Sequence, residues 1–173
     1  MTDPAAPGAA EFTRPVDVGR LPSGAAVYDL EATPAERDAL ARRLDLLALH
    51  RLEAQVRLER LAGGLLRLSA ALKADVVQAC VVTLEPVQDR IDEPFTVLYR
   101  AGAEAGETAV VLNGAAELVE PLPSDILDIG EAVAQQLSLA LDPYPRAPGA
   151  IAAAPVERPV SPFAALARWK ENN

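Results

Sequence analysis

The chain has 173 residues, half of them hydrophobic but only 4% aromatic, and carries a formal net charge of −9; one domain with a core of Leu, Val, Ile and Ala is the expectation. A single cysteine excludes an internal disulfide, and a chain of this length folds without one or a structural metal. Residues 1–8 lack the basic start and apolar run of a secretory signal, and no stretch reaches the roughly 18 to 20 apolar residues of a membrane span, so the cytoplasm is the expected compartment.

Residues 1–13 are expected to be disordered, followed by an extended segment over 14–18, a turn at Leu21-Pro22-Ser23-Gly24 and a strand over 25–30. Thr33-Pro34-Ala35-Glu36 is a helix start: threonine caps, proline suits the first helical position, and glutamate completes a capping box. Leu40, Leu44 and Leu47 recur at helical spacing, which predicts a helix over 34–48.

The next stretch is rich in helix formers, yet Leu52, Ala54, Val56 and Leu58 alternate with charged and polar residues, and the alternation resumes at Leu66, Leu68, Ala70 and Leu72. A three-residue loop, Ala62-Gly63-Gly64, puts both apolar sets on one face, with glycine available for the left-handed position. That register sets Leu58 against Leu68, Val56 against Ala70 and Ala54 against Leu72. On the other face it sets Glu59 against Arg67, Glu53 against Lys73 and Arg51 against Asp75. Three opposite-charge pairs from one register favour a hairpin over a helix. The basic residues are then a charge-compensated sheet face rather than a stripe for nucleic acid.

Further strands are predicted over 76–83 and 91–99, with Pro94 marking an edge or a bulge. Residues 101–107 are expected as a mobile loop, and Asn113-Gly114 is the turn of a second hairpin. Asp128-Ile129-Gly130-Glu131 opens a helix to about Leu141, with Ala132, Val133, Leu137 and Leu141 on its buried side. From Pro143 the chain is Pro/Ala-rich. The elements predict an α+β single domain: an antiparallel β-sheet or partly open barrel, two main helices packed on it, and a Pro-rich C-terminal tail. The expected divisions are 1–13, a folded body over 14–142 and a tail over 143–173. A short helix over 162–170, bearing Phe163, Leu166 and Trp169, either docks, stays disordered or serves as an interaction motif.

Charge is uneven. Residues 1–75 hold ten basic and eleven acidic side chains, whereas residues 85–142 hold twelve acidic ones against Arg90 and Arg100 alone. Such a surface repels phosphates and attracts basic partners, or simply keeps the protein soluble. Asp89, Asp92, Glu93, Glu117 and Glu120 are the candidate acidic partner surface. Arg42, Arg43 and Arg57, in the balanced half, are the candidate contacts if the chain binds RNA directly.

Catalytic constellations are missing. His50 stands alone, Gly63-Gly64 lies inside a hairpin rather than before a helix, and no serine sits in a nucleophile elbow. Cys80, within an apolar strand run, reads as a small buried hydrophobe. No catalytic, cofactor-binding or metal-binding residues are assigned, and neither an enzyme nor a small-molecule substrate is expected; an unrecognised enzyme is the least favoured alternative.

Cys80-Val81-Val82-Thr83-Leu84-Glu85-Pro86-Val87, followed by residues 91–97, resembles the central motif of the YceD family. Leu127-Asp128-Ile129-Gly130-Glu131-Ala132-Val133 is similar to that family's late helix start, and Asp142-Pro143-Tyr144-Pro145-Arg146 to the segment after it, in the form seen in α-proteobacterial members. Arg14-Pro15-Val16 and Ala35-Glu36-Arg37 also fit. The motif positions are Cys80, Thr83, Glu85, Pro86, Asp128, Glu131, Tyr144 and Arg146. The resemblance makes 14–142 a YceD-like domain and implies a cytoplasmic, non-enzymatic bacterial factor needed for accumulation of large-subunit ribosomal RNA. Many relatives carry Cys-x-x-Cys where this chain has Cys80 and Thr83. With no further cysteine near Pro145, four zinc ligands cannot be assembled. The expected partner is a basic ribosomal protein of the large subunit or a pre-ribosomal particle; direct binding of ribosomal RNA is the alternative.

Overall fold

The computed structural model describes residues 11–22, 24–102, 109–112 and 115–151, with the side chains of 109–112 and 115–117 left out. The elements, in order, are β1 (Pro15–Asp17), β2 (Ala26–Glu31), α1 (Pro34–Arg43), β3 (Ala48–Arg60), β4 (Leu65–Ala79), β5 (Pro86–Ala101), β6 (Ala109–Leu112), β7 (Ala115–Leu122), β8 (Ile126–Asp128) and α2 (Ile129–Ala140).

Six strands form one open sheet in the order β2-β3-β4-β5-β7-β6, and β1 pairs with β8 in a separate two-stranded sheet. All pairings are antiparallel except β5 with β7, which run parallel over Leu98–Val119 to Ala101–Leu122. The Asn113-Gly114 turn lies outside the described residues, but its flanks pair as a two-residue hairpin requires, Leu112 opposite Ala115. The 162–170 helix also falls outside them.

The long hairpin has the register that its charge pattern predicts. Leu58 faces Leu68, Val56 faces Ala70, Ala54 faces Leu72, and Glu59, Glu53 and Arg51 face Arg67, Lys73 and Asp75. Gly63 and Gly64 take φ of 73° and 74°, which residues with a Cβ rarely adopt, while the Leu61 N–H donates to the Leu65 carbonyl at 2.8 Å. Leu52, Val56, Leu58, Leu68, Leu72 and Val76 line one face of the sheet, each at most 1% exposed, and no polar or charged residue is buried among the described residues.

Three expectations change. The first helix ends at Arg43 rather than near residue 48, because Asp45 turns left-handed (φ 54°) and the Leu47 N–H donates to the Val77 carbonyl at 2.8 Å. Sheet pairing thus captures a leucine whose spacing suits a helix, and Leu47 is exposed. Ordered structure begins before residue 14: Phe12 is 1% exposed in the core, and an aromatic ring that finds an apolar slot does not stay in solvent. The strand predicted over 76–83 is the end of β4, which stops at Ala79 and leaves Cys80 in a turn. Among the described residues, Pro94 lies where β5 has a neighbour on one side only, the position a missing N–H tolerates.

Candidate functional site

The motif positions gather at two joints. At the first, the turn from β4 to β5, the Cys80 N–H donates to the Glu85 carbonyl (2.8 Å) and the Leu84 N–H to the Cys80 carbonyl (2.9 Å). The turn is tight enough to hold Leu84, 76% exposed, at φ 64°. The Thr83 hydroxyl donates to the Glu85 carboxylate at 3.1 Å, and Pro86 opens β5 opposite Ala79. A distant segment closes the joint: the Val81 N–H donates to the Pro145 carbonyl (2.9 Å) and the Ala147 N–H to Cys80 Sγ (3.3 Å). Tyr144 and Arg146 flank buried Pro145 and point to solvent.

Cys80 is fully buried, as expected, yet its sulfur is more than a hydrophobe. The N–H groups of Val82 and Thr83 also reach Sγ, both at 3.4 Å. Hydrogen bonding of this kind, the Ala147 N–H foremost, favours the thiolate and brings the thiol down to about 6. Among the described residues no three His, Cys, Asp or Glu side chains converge, and the Thr83 hydroxyl is turned to Glu85. These residues do not fit a zinc site.

The second joint is the start of α2. Asp128 caps the helix, accepting from the Gly130 N–H (3.0 Å) and the Glu131 N–H (3.1 Å), and also from the Arg14 N–H at 2.8 Å. Glu131 does not fold back as a capping box would have it. It takes the Arg43 guanidinium in two bonds of 2.6 and 2.8 Å, which raises Arg43 and lowers Glu131 from their ordinary values. Glu11 adds a third contact to Arg43 at 3.2 Å. Arg14 binds both oxygens of Glu36 and lies 4.6 Å over the Phe12 ring. A Cβ at Gly130 would overlap the Phe12 carbonyl oxygen and come within 3.0 Å of the Arg14 nitrogen, so only glycine lets this strap cross the helix start.

The acidic candidates divide. Asp92 lies on the outer face of the sheet, 3.9 Å from Lys73. Asp89 and Glu93 alternate with buried Ile91 and Phe95 on the core side of β5, yet both are exposed, on a stretch where β4 is the one strand beside β5 among the described residues. Neither has a cationic partner among the described residues. Glu120 sits opposite Tyr99 in β7, and burial together with the Glu120 charge pushes the Tyr99 hydroxyl up. The side chain of Glu117 is outside the described residues.

The basic candidates do not share a surface. Arg43 is engaged at the second joint. Arg57 lies on the outer face 4.0 Å from Glu59, and Arg42 lines a cleft of about 450 Å³ with Arg37, Asp38, Leu47 and His50. Around Arg57 the predicted compensation holds with some exchange of partners: Arg67 meets Glu59 (3.8 Å) and Arg51 meets Glu53 (3.3 Å), while Asp75 takes Arg90 from β5 at 2.9 Å. A second cleft, over β2 and β3, is lined by Asp29, Glu31 and Glu53. Gln55 donates to Asp29 and Arg51 lies 3.3 Å from Glu53.

Sequence reasoning missed Glu11, Phe12 and Ala147 as joint residues, and reached Arg14 only through the family resemblance. Only Phe12, an aromatic in a chain nearly without them, carried a local signal. A family model described as "Large ribosomal RNA subunit accumulation protein YceD" matches residues 68–168, more than half of the chain. No curated protein and no solved structure matches.

Proposed function

Because this chain belongs to the YceD family, we propose that it supports large-subunit ribosomal RNA accumulation without catalysis, by binding a basic ribosomal protein of the large subunit or an assembly intermediate. The family's description ties its members to accumulation of that RNA. The observation that supports the finer reading is the distribution of unmatched charge. On the outer face of β3 and β4 the acids and bases lie in partnered rows, whereas Asp89 and Glu93 on β5 face no cation among the described residues. A basic protein held there is shielded before it meets RNA, and steering by the negative edge speeds the encounter. No helix among the described residues is long and apolar enough to cross a membrane, and a site of action in the cytoplasm, on assembling subunits, follows from the proposal.

Direct contact with ribosomal RNA is the competing reading, with Arg42 and Arg57 as the side chains left for it. Capture from lysate at low salt by the full chain separates the two. The expected result is a basic large-subunit ribosomal protein that stays bound after ribonuclease treatment, is released by high salt, and is recovered in much lower yield by the Asp89→Asn, Glu93→Gln double variant. Recovery of no such protein removes the reading, and release by ribonuclease alone moves it to RNA.

A further inference from the structure

The edge of β5 carries an inference about how that partner is held. β4 covers one side of β5 from Pro86 to Arg100, but on the other side β7 pairs only with Leu98 to Ala101. Residues 86–97 therefore have no strand beside them among the described residues. At about 3.3 Å per residue this is roughly 40 Å of edge. An edge of that length exposes a row of backbone N–H and C=O groups that another extended chain can pair with.

We propose that this edge takes a Lys/Arg-rich extended segment of the partner protein by strand addition, a binding mode that rests on the function proposed above. The open backbone supplies affinity, and the side chains select the occupant. Pro94 removes one donor and confines continuous pairing to residues 87–93. Within that window Asp89 and Glu93 project to the same face, four residues apart, with Ile91 between them. A strand laid alongside places its own residues opposite these three. The segment that fits has a cation opposite Asp89, an apolar residue beside Ile91, and a second cation opposite Glu93. A second copy of this chain does not meet that requirement, because its edge brings carboxylates against carboxylates.

The test uses the full chain and a capped synthetic peptide with two lysines four positions apart and valine midway, compared with a scrambled peptide of equal charge. Hydrogen exchange of the backbone amides of 87–93 is the readout. The expected result is slowing of at least about tenfold at alternate amides with the patterned peptide, reversed by salt, and little with the scrambled one. Equal binding of both peptides without added protection overturns strand addition. So does protection of these amides in the free chain, which would mean that the chain's own residues cover the edge. If the basic protein is captured from lysate yet leaves these amides unprotected in the purified complex, only the binding mode fails. If no basic protein is captured, both proposals fail.

Discussion

Carboxylates crowd two regions of this molecule, the start of α2 and the part of β5 that only β4 flanks among the described residues, and their surroundings there are opposite. Around α2, Asp128 accepts three backbone N–H groups, Glu131 clasps Arg43, and Glu36 clasps Arg14 while its backbone and side chain complete the cap with Thr33. On β5, Asp89 takes, among the described residues, only the neighbouring Arg90 N–H at 2.8 Å. Residue type is the same, and the difference is compensation. A matched carboxylate is part of the architecture, whereas the unmatched ones are those assigned to a partner in the proposal above. Net charge therefore does not locate a binding surface in this chain.

The comparison breaks most severely at Gly130. Gly130→Ala should destabilise the protein by about 3 kcal/mol, because two backbones must separate to admit the methyl group. Urea unfolding checks this, and a neutral result would mean that residues 12–14 do not lie against the helix. Next comes Glu36→Gln, expected to cost about 1.5 kcal/mol near neutral pH through the weakened bond to Arg14. The Arg14 guanidinium holds the Glu36 carboxyl down to about 2, below its ordinary 4.5. A lowered folded value means that the contribution is complete above about 4.5 and is lost as pH falls toward 2. The stability gap between the native chain and the variant should therefore close over that window, and a gap that persists in acid would assign the effect elsewhere. Smallest is the Asp89→Asn, Glu93→Gln pair. Removing unmatched charge should change stability by no more than about 0.5 kcal/mol in thermal unfolding, whatever it does to binding. A large loss would place these side chains among the structural carboxylates and erase the contrast.

How much of this was legible beforehand follows the distance over which the interactions act. The β3–β4 hairpin could be read to single-residue register, because alternation and charge lie on neighbouring strands joined by a short loop. The Thr33 and Asp128 caps were visible for the same reason. The end of α1 was not, since Leu47 suits a helix until the far end of β4 offers it a hydrogen bond. Cys80 was correctly expected to be buried but wrongly placed in a strand, and its third N–H donor comes from Ala147, 67 residues away. The candidate surface was half legible. Sequence located the excess of acids, but which of them have a cation beside them, as Asp92 has Lys73, and which lie beyond β7 on β5 among the described residues, needs the structure.

The strap at residues 11–17 carries a consequence for biosynthesis. Pro15, Val16 and Asp17 pair with Asp128, Leu127 and Ile126, and the Arg14 N–H finds its acceptor 114 residues later. As the chain leaves the ribosome, the meander from β2 to β5 can form from near neighbours, but residues 14–17 have no partners until β8 and the start of α2 emerge. Such a long-range closure is a late event in folding. A nascent chain stalled before Gly130 presents a finished sheet whose apolar side lacks part of its cover, a form that quality-control factors would distinguish from the mature protein.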